Sequence, residues 1–291
     1  MGLEWLSPLW LIAMRFTVSG TLLLAGSLAG GWRLPRGREL AVISAGGVMI
    51  LGLGNGCLAF AEVLIPSGIA GLIITLSPFW MIGVEALVPG GERIHPPAVG
   101  GMLVGLAGAA LLFTPDPGKL GGGVNLLWGF LILQVGMAGW SFGSIYQKRR
   151  SFNVHPVAMG GVQQLATGLA FAPLALAFSD APAGFSARGA GAVLYLVVFG
   201  SIVGYSAYLY TLERLPVAIV SVYSYVNAVV AVALGWLLYG EPFGVREALA
   251  MAAIFAGVAM VKRSHGRKPP ANGARQKAEP AQAEPAQRDV S

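Results

Sequence analysis

Apolar residues along this chain come in long, nearly unbroken blocks of about 17 to 25 residues, the length an α-helix needs to cross a bilayer. The blocks run near 8–29, 40–64, 69–88, 97–114, 125–147, 156–178, 190–212, 217–239 and 244–261, nine in all. Polar residues collect in the short connections, none of which is long enough to hold a soluble domain. The pattern predicts an all-α membrane protein, a polytopic helix bundle. From residue 262 the chain reads "KRSHGRKPPANGARQKAEPAQAEPAQRDVS", a polar and proline-containing stretch that cannot bury a core. A disordered basic tail is expected over 262–291.

The blocks repeat. "IPSGIAGLIITLSPFWMIGVEALVPGGERI" (65–94) aligns with "LPVAIVSVYSYVNAVVAVALGWLLYGEPF" (215–243), about 150 residues later. Pro66 meets Pro216, Ser77 meets Asn227, and Gly91-Glu92 recurs as Gly240-Glu241. The span at 125–147 has no counterpart ahead of the first repeat, so the halves are 1–114 and 125–261 with one helix fewer in the first. Five helices per half would set the halves in opposite orientation, the inverted-repeat plan of secondary transporters.

Composition sharpens this picture. Of 291 residues 55% are hydrophobic and 11% charged, with a mean hydropathy of +0.69. The charged fraction is about half that of a soluble domain. Forty-two glycines suit close helix packing in lipid, where small residues let backbones approach. The net charge of +6 comes from connections and tail rather than from an aromatic-interleaved basic surface, which argues against nucleic acid as a partner. Arg33, Arg36 and Arg38, then Lys148, Arg149 and Arg150, then Arg214, then Lys262 and Arg263 fall in alternate connections. By the positive-inside rule those connections and the C-terminus are cytoplasmic, placing the chain as a multi-pass protein of the cell (inner) membrane.

The blocks "SPLWLIAMRF" (7–16), "NGCLAFAEVLIPSGIAGLIITLSPFW" (55–80), "AGWSFGSIYQKR" (138–149), "FGSIVGYSAYLYTLERLPVAIVSVYSYVNAVVAVALGWLLYGE" (199–241) and "AGVAM" (256–260), in this order, resemble the EamA-type permeases of the drug/metabolite transporter superfamily, nearest a YedA-like branch. The resemblance covers residues 7–261. It implies ten helices, two inverted-topology repeats and export of amino acids or other small metabolites. Nine helices are visible here, and "MGLEWL" stands where the family's first, cavity-facing helix belongs, so a start that omits this helix is expected. The alternatives are a non-transporting membrane subunit or scaffold, or an inactive truncated transporter.

A substrate that is polar at one end and apolar at the other needs donors, acceptors and aromatic faces near the membrane midplane. Ser77 and Asn227 lie halfway along their spans at equivalent repeat positions, and Gln134 is also near mid-depth. Gln163 and Gln164 sit a third of the way into theirs. Trp80, Trp140, Tyr208, Tyr223 and Tyr225 share that depth. Asn55 and Glu62, seven residues apart, stand on one helical face about 10 Å apart along the axis. Intramembrane charge is costly unless it faces protein or water, so Glu62 is a candidate for a substrate amino group or a coupling proton. Arg15 is then either its structural ion-pair partner or the receiver of a carboxylate. Glu85, near a span end, is expected to snorkel. Pro78, in the middle of a span, predicts a gating kink, and its repeat partner Ala228 predicts none in the second half.

Enzyme chemistry finds no set of residues. His95 and His155 fall in connections and His265 in the tail, without metal-ligand spacing, and no phosphate-cradling loop appears. The sequence thus calls for no catalytic residues, no metal and no cofactor. Its partners are the lipid bilayer and a small-molecule substrate.

Overall fold

The computed structural model describes residues 6–65, 67–91, 95–112, 123–150, 152–180, 187–239 and 244–266. Pro66, Glu92, Gly240 and Glu241 of the aligned repeat and the tail beyond 266 lie outside them. Every described element is helical. The first span is α1 (Pro8–Ala29). The second joins α2 (Gly37–Gly47), a π-helical stretch π1 (Val48–Leu53) and α3 (Gly54–Leu64). The third is α4 (Ser67–Ile74) followed by α5 (Ser77–Leu87), and the fourth is α6 (Pro96–Leu112). The next two are α7 (Gly123–Arg149) and α8 (Pro156–Phe178). Then come α9 (Ala187–Tyr195), π2 (Leu196–Gly204) and α10 (Tyr205–Arg214), in one line. The last spans are α11 (Val217–Ser221) with α12 (Tyr223–Tyr239), and α13 (Val245–Gly266).

The nine apolar blocks therefore appear where the sequence puts them, with ends shifted by a few residues. Among the described residues, six helices are long and apolar enough to cross a bilayer. Side chains such as Leu22, Val63, Leu176 and Phe178 are exposed on the outside of the bundle, as lipid-facing residues must be. Helix starts follow local chemistry. Pro8 and Pro156 occupy first turns, where the missing N–H is not needed, while Ser7 Oγ and His155 Nδ1 accept from backbone N–H groups of those turns. The last helix continues to Gly266, so the first residues of the predicted tail, Lys262 and Arg263, are helical.

Glycine sets the packing. A Cβ on Gly20 of α1 would stand 2.3 Å from the Leu165 backbone nitrogen of α8. On Gly257 of α13 it would stand 2.5 Å from the Gly101 carbonyl of α6. Along α7, Gly136, Gly139 and Gly143 admit Cys57, Leu53 and Ile50 of the second span. Lipid tails supply no hydrophobic drive between helices, so these close approaches at glycine provide dispersion contacts that hold the bundle.

Two irregularities occur once in each half, about 150 residues apart. The first is the pair of π stretches, π1 at Val48–Leu53 and π2 at Leu196–Gly204. The second is a break in the following span. After α4, Thr75 and Leu76 form a turn closed by Leu76 N to Ile73 O at 3.0 Å, and α5 restarts with Pro78 in its first turn. The expected kink at Pro78 thus takes the form of a two-residue turn at Thr75-Leu76. The second half, for which Ala228 predicted none, is interrupted too, at Val222. Both breaks carry a hydroxyl back-bond that competes with the helical ladder: Ser221 Oγ donates to Ala218 O at 2.8 Å, as Thr75 Oγ1 donates to Leu72 O in the first half, where Pro78 adds a missing N–H.

A two-chamber cavity between the helix breaks

The two breaks meet inside the bundle. Ser77, the first residue of α5, and Tyr223, the first residue of α12, line the same cavity. Around this junction lie two chambers of 330 and 470 Å³ whose walls share Asn55, Trp140, Tyr223 and Asn227. Both fall in the range of small-molecule sites, about 300 to 1,000 Å³. The first chamber is mainly apolar, lined by Leu58, Ile74, Leu133 and Met137 with Ser77 and Ser224 as polar points. The second lies between α1, π2 and α10 and holds Arg15, Phe16, Ser201, Tyr205, Tyr208 and Thr211.

The aromatic walls are fixed by hydrogen bonds. Trp140 Nε1 donates to Tyr208 Oη at 2.9 Å, Tyr208 Oη donates to Ser144 Oγ at 2.7 Å, and Ser144 Oγ donates to Trp140 O at 2.7 Å. This closed circuit ties α7 to α10. Tyr205 Oη donates to Gln163 Oε1 at 2.8 Å. Ring centroids of Trp140 and Tyr208 are 5.3 Å apart and those of Tyr208 and Tyr223 5.5 Å, both edge-on. The glycines beside the cavity make room for these rings: a Cβ on Gly54 would stand 2.7 Å from the Trp140 ring.

Of the candidate residues, Asn55, Ser77, Trp140, Tyr208, Asn227 and Arg15 come together on the chamber walls. Four others do not line either chamber. Trp80 Nε1 donates to Gln134 Oε1 at 2.8 Å, so the two are tied together between α5 and α7. Tyr225 is fully buried on the other side of α12, with its hydroxyl donating to Met102 O of α6 at 2.9 Å and its ring against Gly105. Glu62 is half-buried on α3, almost two turns from Asn55. The Arg15–Glu62 pairing does not occur among the described ion pairs; Arg15 Nε instead donates to Ser201 Oγ at 2.7 Å. Glu85 does not snorkel either. It is buried and paired with Arg149 at 2.9 Å, and Arg149 also donates to Pro89 O at 2.7 Å.

Tyr205, Ser201 and the glycines of π2 went unselected by sequence reasoning, although Tyr205 lies one turn before Tyr208 on the same face. Tyr223, noted only for its depth, is a wall of both chambers.

Apolar spans whose helices turn and restart beside a polar and aromatic cavity define a membrane transport protein, because irregular backbone survives in lipid only where protein or a cavity surrounds it. The model of the EamA-like transporter family matches the chain twice, over residues 1–114 and 127–263, and the chain belongs to that family. It is 34% identical over 263 residues, 90% of this chain and 83% of the relative, to the uncharacterized inner membrane transporter YedA of Escherichia coli. It is 25% identical over 275 residues, 92% and 89% of the two chains, to a probable terminal-alkyne amino-acid exporter of Streptantibioticus cattleyicolor. The aromatic amino acid exporter YddG of Ancylobacter novellus is 32% identical over 143 residues, 49% of each chain. A solved crystal structure superposes with a TM-score of 0.76 at 25% identity, covering 89% of this chain and 88% of its own. The protein is a multi-pass membrane transporter.

Proposed function

We propose that this transporter exports small amphipathic metabolites, amino acids among them, by alternating access around the two-chamber cavity. The observation that carries the reading is that the restarts of two spans, at Ser77 and Tyr223, line one cavity together with Asn55, Trp140 and Asn227. An interrupted span can move its two parts separately, and here both halves of the molecule hinge at the same cavity. Residues 1–114 and 125–261 act as two inverted repeats that rock about it. Amides at the shared wall orient the polar part of a substrate, and the indole and phenol rings take its apolar body. The relatives named as amino-acid exporters support this substrate class.

The end of the bundle that carries Lys148, Arg149 and Arg150 faces the cytoplasm, as does the C-terminus. In the present conformation that end is held by Arg149 on Glu85 and by Lys148 Nζ on the Leu215 carbonyl, contacts that must open for substrate to enter from the cytoplasm. Glu62, on the Asn55 face of α3, extends the polar route toward the opposite end. The test is uptake of a pooled set of labelled amino acids into proteoliposomes. Saturable uptake above empty liposomes that Asn227→Leu abolishes supports the reading; uptake indifferent to Asn227, or none, overturns it.

A further inference from the structure

Resting on that reading of the cavity, we infer that Arg15 is the anion anchor of the second chamber and that the substrate carries a carboxylate on an apolar or aromatic body.

Arg15 is held by a hydrogen bond at one nitrogen, and its Cζ lies 4.9 Å from the centroid of the Phe16 ring. Its Nε donates to Ser201 Oγ at 2.7 Å, and this is the only hydrogen bond of its guanidinium among the described residues. Arg15 lies on the wall of the 470 Å³ chamber. The seat is built rather than incidental. Gln164 Nε2 donates to the Ser201 carbonyl at 3.0 Å, and the Ser19 hydroxyl bridges Gln164 Oε1 and the Arg15 carbonyl. The ring Arg15–Ser201–Gln164–Ser19 links α1, α8 and π2, so the arginine stem has a fixed direction. Gly200 supplies the space: a Cβ there would stand 2.8 Å from Arg15 Nη2. π2 thus provides both the hydroxyl that orients the guanidinium and the gap that receives it, in keeping with the frequent placement of π irregularities at functional sites.

Charge decides the ligand. Among the described residues no aspartate or glutamate lines either chamber, so the chambers hold a cation and no counter-anion. A guanidinium at this depth is costly without an anion, and its fork matches a carboxylate. Phe16, Phe199, Tyr205 and Tyr208 surround the same space. They accept a hydrocarbon or aromatic body beside the charged end, whereas an organic cation meets a like charge.

The test uses the full chain in lipid nanodiscs and the quenching of tryptophan fluorescence, with Trp140 on the shared wall as reporter. The probes are matched pairs: 3-phenylpropionate with 3-phenylpropionamide, and L-phenylalanine with L-phenylalaninamide. The wild-type protein binds the carboxylate of a pair about 10-fold or more tighter than its amide, as expected of a charge-assisted pair. Arg15→Gln removes that preference by weakening the carboxylate alone, Arg15→Lys keeps part of it, and Ser201→Ala reduces it with the charge still present. Equal affinity within each pair, an unchanged preference in Arg15→Gln, or no binding of either carboxylate overturns the assignment. Should Arg15→Gln fail to elute as a folded species, the wild-type ratio together with Arg15→Lys and Ser201→Ala decides. Proteoliposome uptake of the same pairs separates this claim from the transport reading. Uptake equal for acid and amide removes the anchor and leaves the transporter; Arg15-dependent binding without uptake does the reverse.

Discussion

Tyr208→Phe deletes one oxygen from the circuit that fixes the cavity wall. That hydroxyl accepts from Trp140 Nε1 at 2.9 Å and donates to Ser144 Oγ at 2.7 Å, inside a residue that is 8% exposed. Removing it loses two hydrogen bonds, each worth about 1 kcal/mol net, and leaves the indole N–H without its acceptor. Ser144 keeps its bond to the Trp140 carbonyl and so contributes little to the loss. The expected cost is about 2 kcal/mol, or a drop of roughly 4–8 °C in the thermal midpoint for a chain of this size. Cys57 is the single cysteine, half-buried against Gly136, so a thiol-reactive dye reports unfolding directly. The same substitution frees the Trp140 ring, and ordering one such side chain costs about 0.5–1.5 kcal/mol on binding. Substrate affinity should therefore weaken about 2- to 10-fold. A midpoint and an affinity both unchanged in Tyr208→Phe would refute the idea that this circuit organises the site.

Other perturbations separate packing from function. Gly257→Ala places a methyl 2.5 Å from the Gly101 carbonyl, backbone that cannot step aside, and should destabilise by about 1–3 kcal/mol in the same dye assay with little effect on substrate affinity. Glu85→Gln breaks the ion pair with Arg149; a cysteine placed at Leu212 in a Cys57→Ala background should then react faster with thiol reagent from the basic end, and an unchanged rate would argue against a latch there. Glu62→Gln should slow transport at every pH tested while leaving the affinity of the chambers intact, since Glu62 lines neither; wild-type transport would remove it from the route.

The spans were legible because lipid imposes a length on them: the starts at Pro8 and Pro156 and the ends at Ala29 and Phe178 all agree with the apolar blocks. Depth along a span was legible as well, which is why Asn55, Ser77, Trp140, Tyr208 and Asn227 were placed on one cavity. Rotation about the helix axis was not. Tyr225 shares the depth of Tyr223 two residues away, yet faces α6 and Gly105 instead of the chambers, because two residues along one helix point about 200° apart. Trp80 and Gln134 look like binding residues for the same reason and prove to be each other's partner. The break at Val222 escaped notice because it has the hydroxyl back-bond that both halves share but no proline like Pro78 to mark it in the sequence. Neither π stretch has a sequence signature beyond the glycines at its edge, so the seat of Arg15 on Ser201 emerges only from the fold.

The central claim is that the wall shared by the two chambers is exposed alternately to the two sides of the membrane. The direct measurement is the reactivity of Asn227→Cys, in a Cys57→Ala background, with a membrane-impermeant thiol reagent supplied on one side of sealed vesicles or the other. The account predicts labelling from each side, with bound substrate slowing both rates. Labelling confined to one side under every condition, or from neither, would contradict it.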